Sequence, residues 1–145
     1  MSKLLVFTDG AARGNPGPAG IGVVISESGG NVVKETAEHI GCATNNVAEY
    51  MALIRGLEEA LKLGANEVEI HTDSQLMARQ ITGVYRVKAE HLIPLMERVR
   101  ELLRLFRRIS ISHIVREENR QADALARKAS KAAADKTEEV NVKET

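Results

Sequence analysis

The stretch TDGAARGNPGPAGIGVV, residues 8–24, connects two apolar runs through a loop rich in glycine, proline and asparagine. The runs on either side, 3–9 and 20–28, have the apolar character of β-strands, and the residues between them favour a sharp reversal of the chain. We therefore predict a hairpin at the start of the fold. Asp9 lies where the first strand is expected to end, which suits either a turn or an active site.

Composition restricts the classes of protein that remain. The chain has 145 residues, enough for one domain, and its 20 basic and 20 acidic residues give a net charge of zero, which is no mark of a nucleic-acid binder. Aromatic residues make up only 3%, which argues against a stacking platform for single-stranded nucleic acid. Cys42 is the one cysteine, so no internal disulfide is expected, and no apolar run approaches the roughly 20 residues of a membrane span. We predict a cytoplasmic monomer without a membrane segment.

Hydrophobic periodicity and capping residues predict the later elements. A third antiparallel strand is expected at 31–41, and a helix within 44–65 is expected to start from Asn46 as its N-cap and to end at Gly64. The remaining predicted elements are a strand at 66–73, a short helix at 74–83, a longer helix at 89–107 with Pro94 in its first turn, a strand at 108–115 and a helix at 122–134.

This order predicts an α/β fold with a mixed five-stranded sheet. Three antiparallel strands are followed by parallel ones, and helices cover both faces. Residues 1–134 form the predicted domain. Residues 135–145 lack apolar periodicity, so we predict a disordered tail there.

Four acids occupy the ends of predicted elements. Asp9 and Asp73 follow strands, and Glu49 and Asp123 lie in the first turns of helices. If these ends meet, the carboxylates repel one another, and hard divalent cations such as Mg²⁺ relieve that repulsion. Two such ions about 4 Å apart suit the in-line displacement of a phosphoryl group.

Each acid also has a purely structural interpretation. Glu49 suits a capping box with Asn46, and Asp123 is favourable beside a helix N-terminus. Asp73 suits a helix cap and Asp9 a turn. Only the four positions taken together favour an active site.

Four segments carry a resemblance to a known family: FTDGAARGNPGPAGIG, TNNVAEYMALIRGL, IHTDSQLMARQI and REENRQADALARKA. In this order and spacing, over residues 3–129, the chain resembles type 1 ribonuclease H, which cleaves the RNA strand of RNA–DNA hybrids. The resemblance implies a ribonuclease H-like fold. It also implies an endonuclease that leaves a 5′-phosphate and a 3′-hydroxyl.

The resemblance assigns roles to particular residues. Two Mg²⁺ ions, for which Mn²⁺ can substitute, are implied at four catalytic carboxylates: Asp9, Glu49, Asp73 and Asp123. Contacts with the RNA–DNA hybrid are implied for Gly10, Asn15, Asn45, Asn46 and Gln75. For Asn45 and Asn46, loop and capping duties are an alternative that is compatible with substrate contact. Gly10 is expected to let the backbone approach the substrate.

Two departures from the family pattern stand out. The basic, tryptophan-containing protrusion of many bacterial members is absent after the third segment, which resembles the compact, archaeal-like form. We therefore expect weak, strongly salt-dependent hybrid binding through scattered cations such as Arg79, Arg86 and Lys88. The glycine-containing loop that carries the family's histidine is also absent, so either Arg116 or His113 assists catalysis, and we favour Arg116.

Three other functions remain open from the sequence. A related nuclease of the same fold is expected to carry extra recognition elements. A hybrid-binding or double-stranded-RNA-binding module without catalysis is expected to lack one or more acids. A structural domain leaves the placement of all four acids without an explanation.

Overall fold

Five strands form one sheet in the computed structural model, which describes the backbone of residues 3–144 and the side chains of residues 3–136. In chain order the strands are β1 (Lys3–Ala12), β2 (Gly17–Glu27), β3 (Val32–Ala43), β4 (Glu67–Thr72) and β5 (Arg108–His113). Their order across the sheet is β3-β2-β1-β4-β5. The pairs β1–β2 and β2–β3 are antiparallel, whereas β1–β4 and β4–β5 are parallel. The predicted mixed five-stranded sheet is therefore confirmed.

Four α-helices connect and cover these strands. They are α1 (Asn45–Lys62), α2 (Gln75–Ile81), α3 (Ile93–Leu103) and α4 (Arg120–Glu144). Short 3₁₀ turns precede α3 at Glu90–Leu92 and α4 at Arg116–Asn119. The helix predicted at 89–107 is thus shorter than expected, and Pro94 lies in its first turn as predicted.

Helices lie on both faces of the sheet. Alternate residues of β1 point to opposite faces. On one face Val6 lies under Gly56 of α1, within the apolar core that α3 also completes. On the other face Gly22 of β2 lies directly under Ala122 of α4. The prediction of helices on both faces is confirmed.

Two local predictions differ from the structure. The N-cap of α1 is Thr44, whose side chain accepts a hydrogen bond from the backbone N–H of Val47, so the prediction of Asn46 as N-cap is wrong. Threonine and asparagine both cap helices well, and the actual start was two residues earlier than the pattern suggested. Residues 135–144, where a disordered tail is predicted, continue α4, since lysine and glutamate favour a helix even without apolar periodicity. Thr145 lies outside the described residues.

Among the helices of residues 3–144, none has both the length and the apolar character that crossing a bilayer requires.

Candidate active site

Asp9 lies inside the sheet rather than at the end of its strand, because β1 continues to Ala12. Asp9 is only 4% exposed. The parallel register pairs Thr8 with Thr72, so Asp73, which directly follows β4, lies beside Asp9. Asp9 and Asp73 are therefore neighbours because β1 and β4 are adjacent and parallel, with Asp9 inside β1 and Asp73 just beyond the end of β4.

Glu49 reaches Asp9 because α1 lies directly on the backbone of β1. A Cβ atom added at Gly10 would stand 2.3 Å from the carbonyl carbon of Ala48, so only glycine permits this approach. The backbone N–H of Gly10 donates a hydrogen bond to Glu49 Oε1. The need for glycine at position 10 therefore arises from helix packing, whereas the sequence suggested an approach to substrate.

Asp123 arrives from the opposite face by an equivalent arrangement. Gly22 is the cross-strand partner of Asp9, and a Cβ atom there would stand 2.1 Å from the carbonyl oxygen of Ala122 in α4. The first turn of α4, with Asp123, is thereby brought next to Asp9. The Asp123 carboxylate is paired with Arg127, whose Nε lies 3.2 Å from Oδ1 and 3.1 Å from Oδ2.

Three of the acids form a compact carboxylate cluster: Asp9, Glu49 and Asp73. One oxygen from each lies within 4.8 Å of the other two. Burial raises the pKa of Asp9 well above its usual range, and the neighbouring charges of Glu49 and Asp73 raise it further. Burial also raises the pKa of Glu49, although hydrogen bonds from Asp9 and Gly10 act in the opposite direction.

The carboxylate cluster has the chemistry of a divalent-cation site. All three donors are hard oxygen ligands, and their charges are held close together at a cost that burial increases. Asp123 lies near enough for its carboxyl to hydrogen bond with that of Asp9. The donor set therefore fits Mg²⁺ or Mn²⁺, with Asp123 beside the three central ligands.

The predicted asparagines link the hairpin to the start of α1. The backbone N–H of Asn45 donates to Asn15 Oδ1 over 3.0 Å, and the backbone N–H of Ala12 donates to Asn45 Oδ1 over 3.0 Å. These bonds use the amide oxygens, and the side-chain N–H groups take no part in them. Asn46 and Gln75 are exposed in the first turns of α1 and α2. The predicted substrate contacts are thus distributed over three segments that border the carboxylate cluster.

Both candidates for a catalytic helper lie near the carboxylate cluster. The positive charge of Arg116 lowers the pKa of Glu49, although burial outweighs it. His113 ends β5, and its Nε2 lies 3.3 Å from the backbone oxygen of Asp73. Arg116 faces the carboxylates, whereas His113 contacts the backbone behind one of them. The role of either residue stays a prediction.

An open cleft of about 370 Å³ adjoins Asp9 and Asp123. Its other charged lining residues are Arg13, Arg116 and Arg127. The cleft therefore combines two carboxylates with three positively charged side chains. Such a site can accept a phosphodiester whose charge the arginines balance.

Sequence reasoning missed Asn119. Its residue is 1% exposed, and its Nδ2 donates to the Thr8 carbonyl oxygen over 2.9 Å and to Asp73 Oδ2 over 3.1 Å. In the sequence it belongs to the polar segment REENRQ, between the strand predicted at 108–115 and the helix predicted at 122–134. No periodicity distinguishes a buried asparagine there from an exposed one.

Known proteins are similar to this chain in both sequence and fold. A model of the family described as Reverse transcriptase-like matches residues 7–129. Ribonuclease HI of Halobacterium salinarum is 46% identical over 127 residues, which cover 88% of this chain and 64% of that protein. The bifunctional protein Rv2228c of Mycobacterium tuberculosis is 44% identical over 133 residues, which cover 91% of this chain but only 36% of that protein. The chain thus spans about a third of the length of this mycobacterial relative and just under two thirds of the haloarchaeal one.

Solved structures give the same relationship. The N-terminal RNase H domain of Rv2228c from Mycobacterium tuberculosis superposes with a TM-score of 0.92 at 43% identity, covering 94% of this chain and 99% of that one. LC11-RNase H1, isolated from compost, was crystallised in complex with an RNA/DNA hybrid. In that complex it superposes with a TM-score of 0.85 at 43% identity, covering 90% of this chain and 99% of that one. This chain belongs to the type 1 ribonuclease H family.

Proposed function

We propose that this chain is an endoribonuclease that hydrolyses the RNA strand of RNA–DNA hybrids, leaving a 5′-phosphate and a 3′-hydroxyl. The observation that carries the proposal is the carboxylate cluster of Asp9, Glu49 and Asp73, with oxygens within 4.8 Å, in a chain of this family. The hybrid bound to LC11-RNase H1, a relative at 43% identity, supports the choice of substrate.

The proposed cofactor is Mg²⁺, with two ions at the site when substrate is present and Mn²⁺ as a substitute. Bound there, the ions would activate a water molecule and stabilise the charge on the leaving oxygen. Asp9, Glu49 and Asp73 would hold them, with Asp123 as a fourth ligand. The Gly10 N–H orients Glu49 through its hydrogen bond, and no serine, cysteine or lysine nucleophile is required.

Substrate recognition is proposed to use the exposed polar groups around this site. Asn15, Asn45, Asn46 and Gln75 offer amide groups that can both donate and accept hydrogen bonds. Such groups suit the minor groove of a hybrid, where 2′-hydroxyls and base edges are accessible. The backbone of Gly10 borders the same surface, although its N–H already bonds to Glu49.

The direct test is cleavage of a labelled RNA–DNA hybrid with MgCl₂, compared with single-stranded RNA, duplex DNA and duplex RNA. We expect the hybrid to be cut, with EDTA abolishing the reaction and MnCl₂ restoring it. Asp73→Asn should bind the hybrid but not cut it. A hybrid that is retained but never cut by the wild-type protein would point to a binding module instead. Activity retained in Asp73→Asn would contradict the proposed mechanism.

The choice between Arg116 and His113 is tested by replacing each with alanine. We propose that Arg116 assists the reaction, because its charge acts on Glu49 and it lines the cleft beside Asp9. Arg116→Ala is expected to lower kcat by roughly a hundredfold, the scale of losing one group that stabilises charge, and His113→Ala by much less. Steady-state cleavage of the hybrid measures both effects on kcat. A loss of turnover confined to His113→Ala would reverse the assignment.

The proposal also includes a cytoplasmic, monomeric state. Light scattering coupled to gel filtration, with and without hybrid, tests the monomer. Microscopy of the tagged protein in its native host tests the compartment.

A further inference from the structure

Asn119 donates two hydrogen bonds from one amide group. It ends the 3₁₀ turn between β5 and α4, and both of its neighbours are acceptors: the Thr8 carbonyl oxygen at 2.9 Å and Asp73 Oδ2 at 3.1 Å. The two hydrogens of one Nδ2 group serve both bonds, which fixes the orientation of the amide. Its Oδ1 is buried and accepts no hydrogen bond from the described residues. Within the described residues, the Asn119 side chain therefore acts only as a hydrogen-bond donor.

The two acceptors belong to the adjacent parallel strands that position the central carboxylates. Thr8 immediately precedes Asp9 inside β1, and Asp73 immediately follows β4. Asn119 therefore bridges the interior of β1 and the end of β4. Because it bonds to Oδ2 of Asp73, it restricts rotation of that carboxylate and leaves Oδ1 available to a cation.

Asn119 also directly precedes α4, the helix that carries Asp123. Arg120, its neighbour, begins α4, and Asp123 follows one turn after Asn119. The backbone between Arg116 and Asp123 is consequently held against β1 and β4 through the buried Asn119 side chain.

We infer that Asn119 is a positioning residue, which fixes the Asp73 carboxylate for a divalent cation and sets the start of α4 relative to the carboxylate cluster. This inference rests on the proposed metal-dependent function. Asn119 does not touch the reacting atoms, and it acts by donating to a metal ligand. Residues in this relation to a ligand commonly change metal affinity or activity by tenfold to a hundredfold when they are replaced.

The experiment measures metal binding separately from catalysis. MnCl₂ alone is titrated by calorimetry into the metal-free wild-type protein, Asn119→Ala and Asn119→Ser. We expect Asn119→Ala to bind Mn²⁺ about tenfold to a hundredfold more weakly than wild type. Asn119→Ser keeps one O–H donor on a shorter side chain. We expect its affinity for Mn²⁺ to lie between those of wild type and Asn119→Ala. In hybrid cleavage, kcat should fall with little change in KM, because Asn119 is buried away from the substrate.

Gln80→Met is the matched control, since Gln80 is also buried and accepts a hydrogen bond from Tyr50 without contacting the carboxylate cluster. We expect this variant to lose stability but to keep wild-type Mn²⁺ affinity. If Asn119→Ala does not fold, Asn119→Ser provides the same comparison with a smaller packing loss.

Three results would overturn the inference. One is wild-type Mn²⁺ affinity in a folded Asn119 variant, and another is an equal loss of affinity in Gln80→Met, which would mean general loosening of the fold. In both cases the proposed function survives. The third is a wild-type protein that binds no Mn²⁺, which would overturn the proposed function as well.

Discussion

Asp9 shows at the scale of one residue how a binding site opposes the stability of the fold. Its carboxyl is buried in β1 beside Glu49 and Asp73, and burial together with their charges raises its pKa. In the unfolded chain the same group titrates near its ordinary value of about 3.9. Between that value and the raised one, the folded protein binds the proton more strongly. In the metal-free protein, stability is therefore expected to fall as the pH rises above about 4.

Asp9→Asn should remove this penalty. The amide has the same shape and carries no charge, so we expect the metal-free variant to be more stable than wild type by roughly 1–3 kcal/mol at pH 8. The difference should shrink towards pH 4, where the wild-type carboxyl is protonated in the folded protein and about half protonated in the unfolded chain. Urea unfolding in EDTA from pH 4 to pH 8 measures the difference.

The same substitution is expected to abolish cleavage of the hybrid, because it removes one of the carboxylates proposed to hold Mg²⁺. Asp135→Asn is the control for removing one acid. Asp135 is exposed in the second half of α4, about three turns beyond Asp123. A stability gain of equal size at pH 4 and pH 8 would contradict the electrostatic cause.

Two glycines determine how the helices approach the site at the scale of elements. Gly10 admits α1 on one face of the sheet, and Gly22, across from Asp9, admits α4 on the other. Both helices lie in direct contact with strand backbone, so the second turn of α1 brings Glu49, and the first turn of α4 brings Asp123, to the same place. The cluster therefore depends on close packing as much as on the acids themselves.

Gly22→Ala should displace α4. The added Cβ would stand 2.1 Å from the Ala122 carbonyl oxygen and 2.7 Å from the Ala126 nitrogen, both of which are backbone atoms. We expect a loss of roughly 3 kcal/mol or more in the free energy of unfolding, since rigid backbone must move. Cleavage should also weaken at temperatures where the variant is still folded, because Asp123 moves with the helix.

Gly29→Ala is the matched control for that substitution. A Cβ atom at Gly29 meets nothing within 4 Å, so this change should alter the stability by no more than about 0.5 kcal/mol. Thermal and urea unfolding compare the two variants. Equal stabilities would mean that α4 can shift freely over β2.

Charge is unevenly distributed at the scale of the whole molecule. The net charge is zero, yet residues 74–89 contain Arg79, Arg86 and Lys88 and no acid. This segment begins directly after Asp73 and continues to the start of the turn that precedes α3. A locally basic surface can bind a nucleic-acid backbone even when the whole chain is neutral.

Removing Arg86 and Lys88 together should weaken hybrid binding and its dependence on salt. Each phosphate contact contributes roughly 0.7–0.9 to the slope of log affinity against log salt. We therefore expect the Arg86→Ala/Lys88→Ala variant to have a higher KM and a slope smaller by about 1.5 than that of wild type. Steady-state cleavage from 50 to about 200 mM KCl gives both quantities.

Lys62→Ala provides the control for lost positive charge. Lys62 is the last residue of α1, more than three turns along the helix from Glu49, so it lies away from the carboxylate cluster. It should leave the slope unchanged. A wild-type KM that does not vary with salt would contradict this mode of binding.

The sequence predicts the sheet, the four acids at its edge and most helices, because these depend on periodicity and on chain order. It does not reveal what depends on packing between distant segments. Asn46 is the better N-cap by residue type, and only the folded backbone selects Thr44. Asn119 looks like any loop asparagine until β1 and β4 are seen on either side of its amide.

The contributions to the site span residues 9–123, with the last of them on α4. A growing chain that has been translated through α3 already contains Asp9, Glu49 and Asp73. It still lacks β5, so β4 presents an unpaired edge, and it lacks both Asn119 and Asp123. A nascent chain therefore cannot assemble the complete site on the ribosome until α4 has emerged, so the proposed cleavage of nucleic acid has to wait for that stage of synthesis.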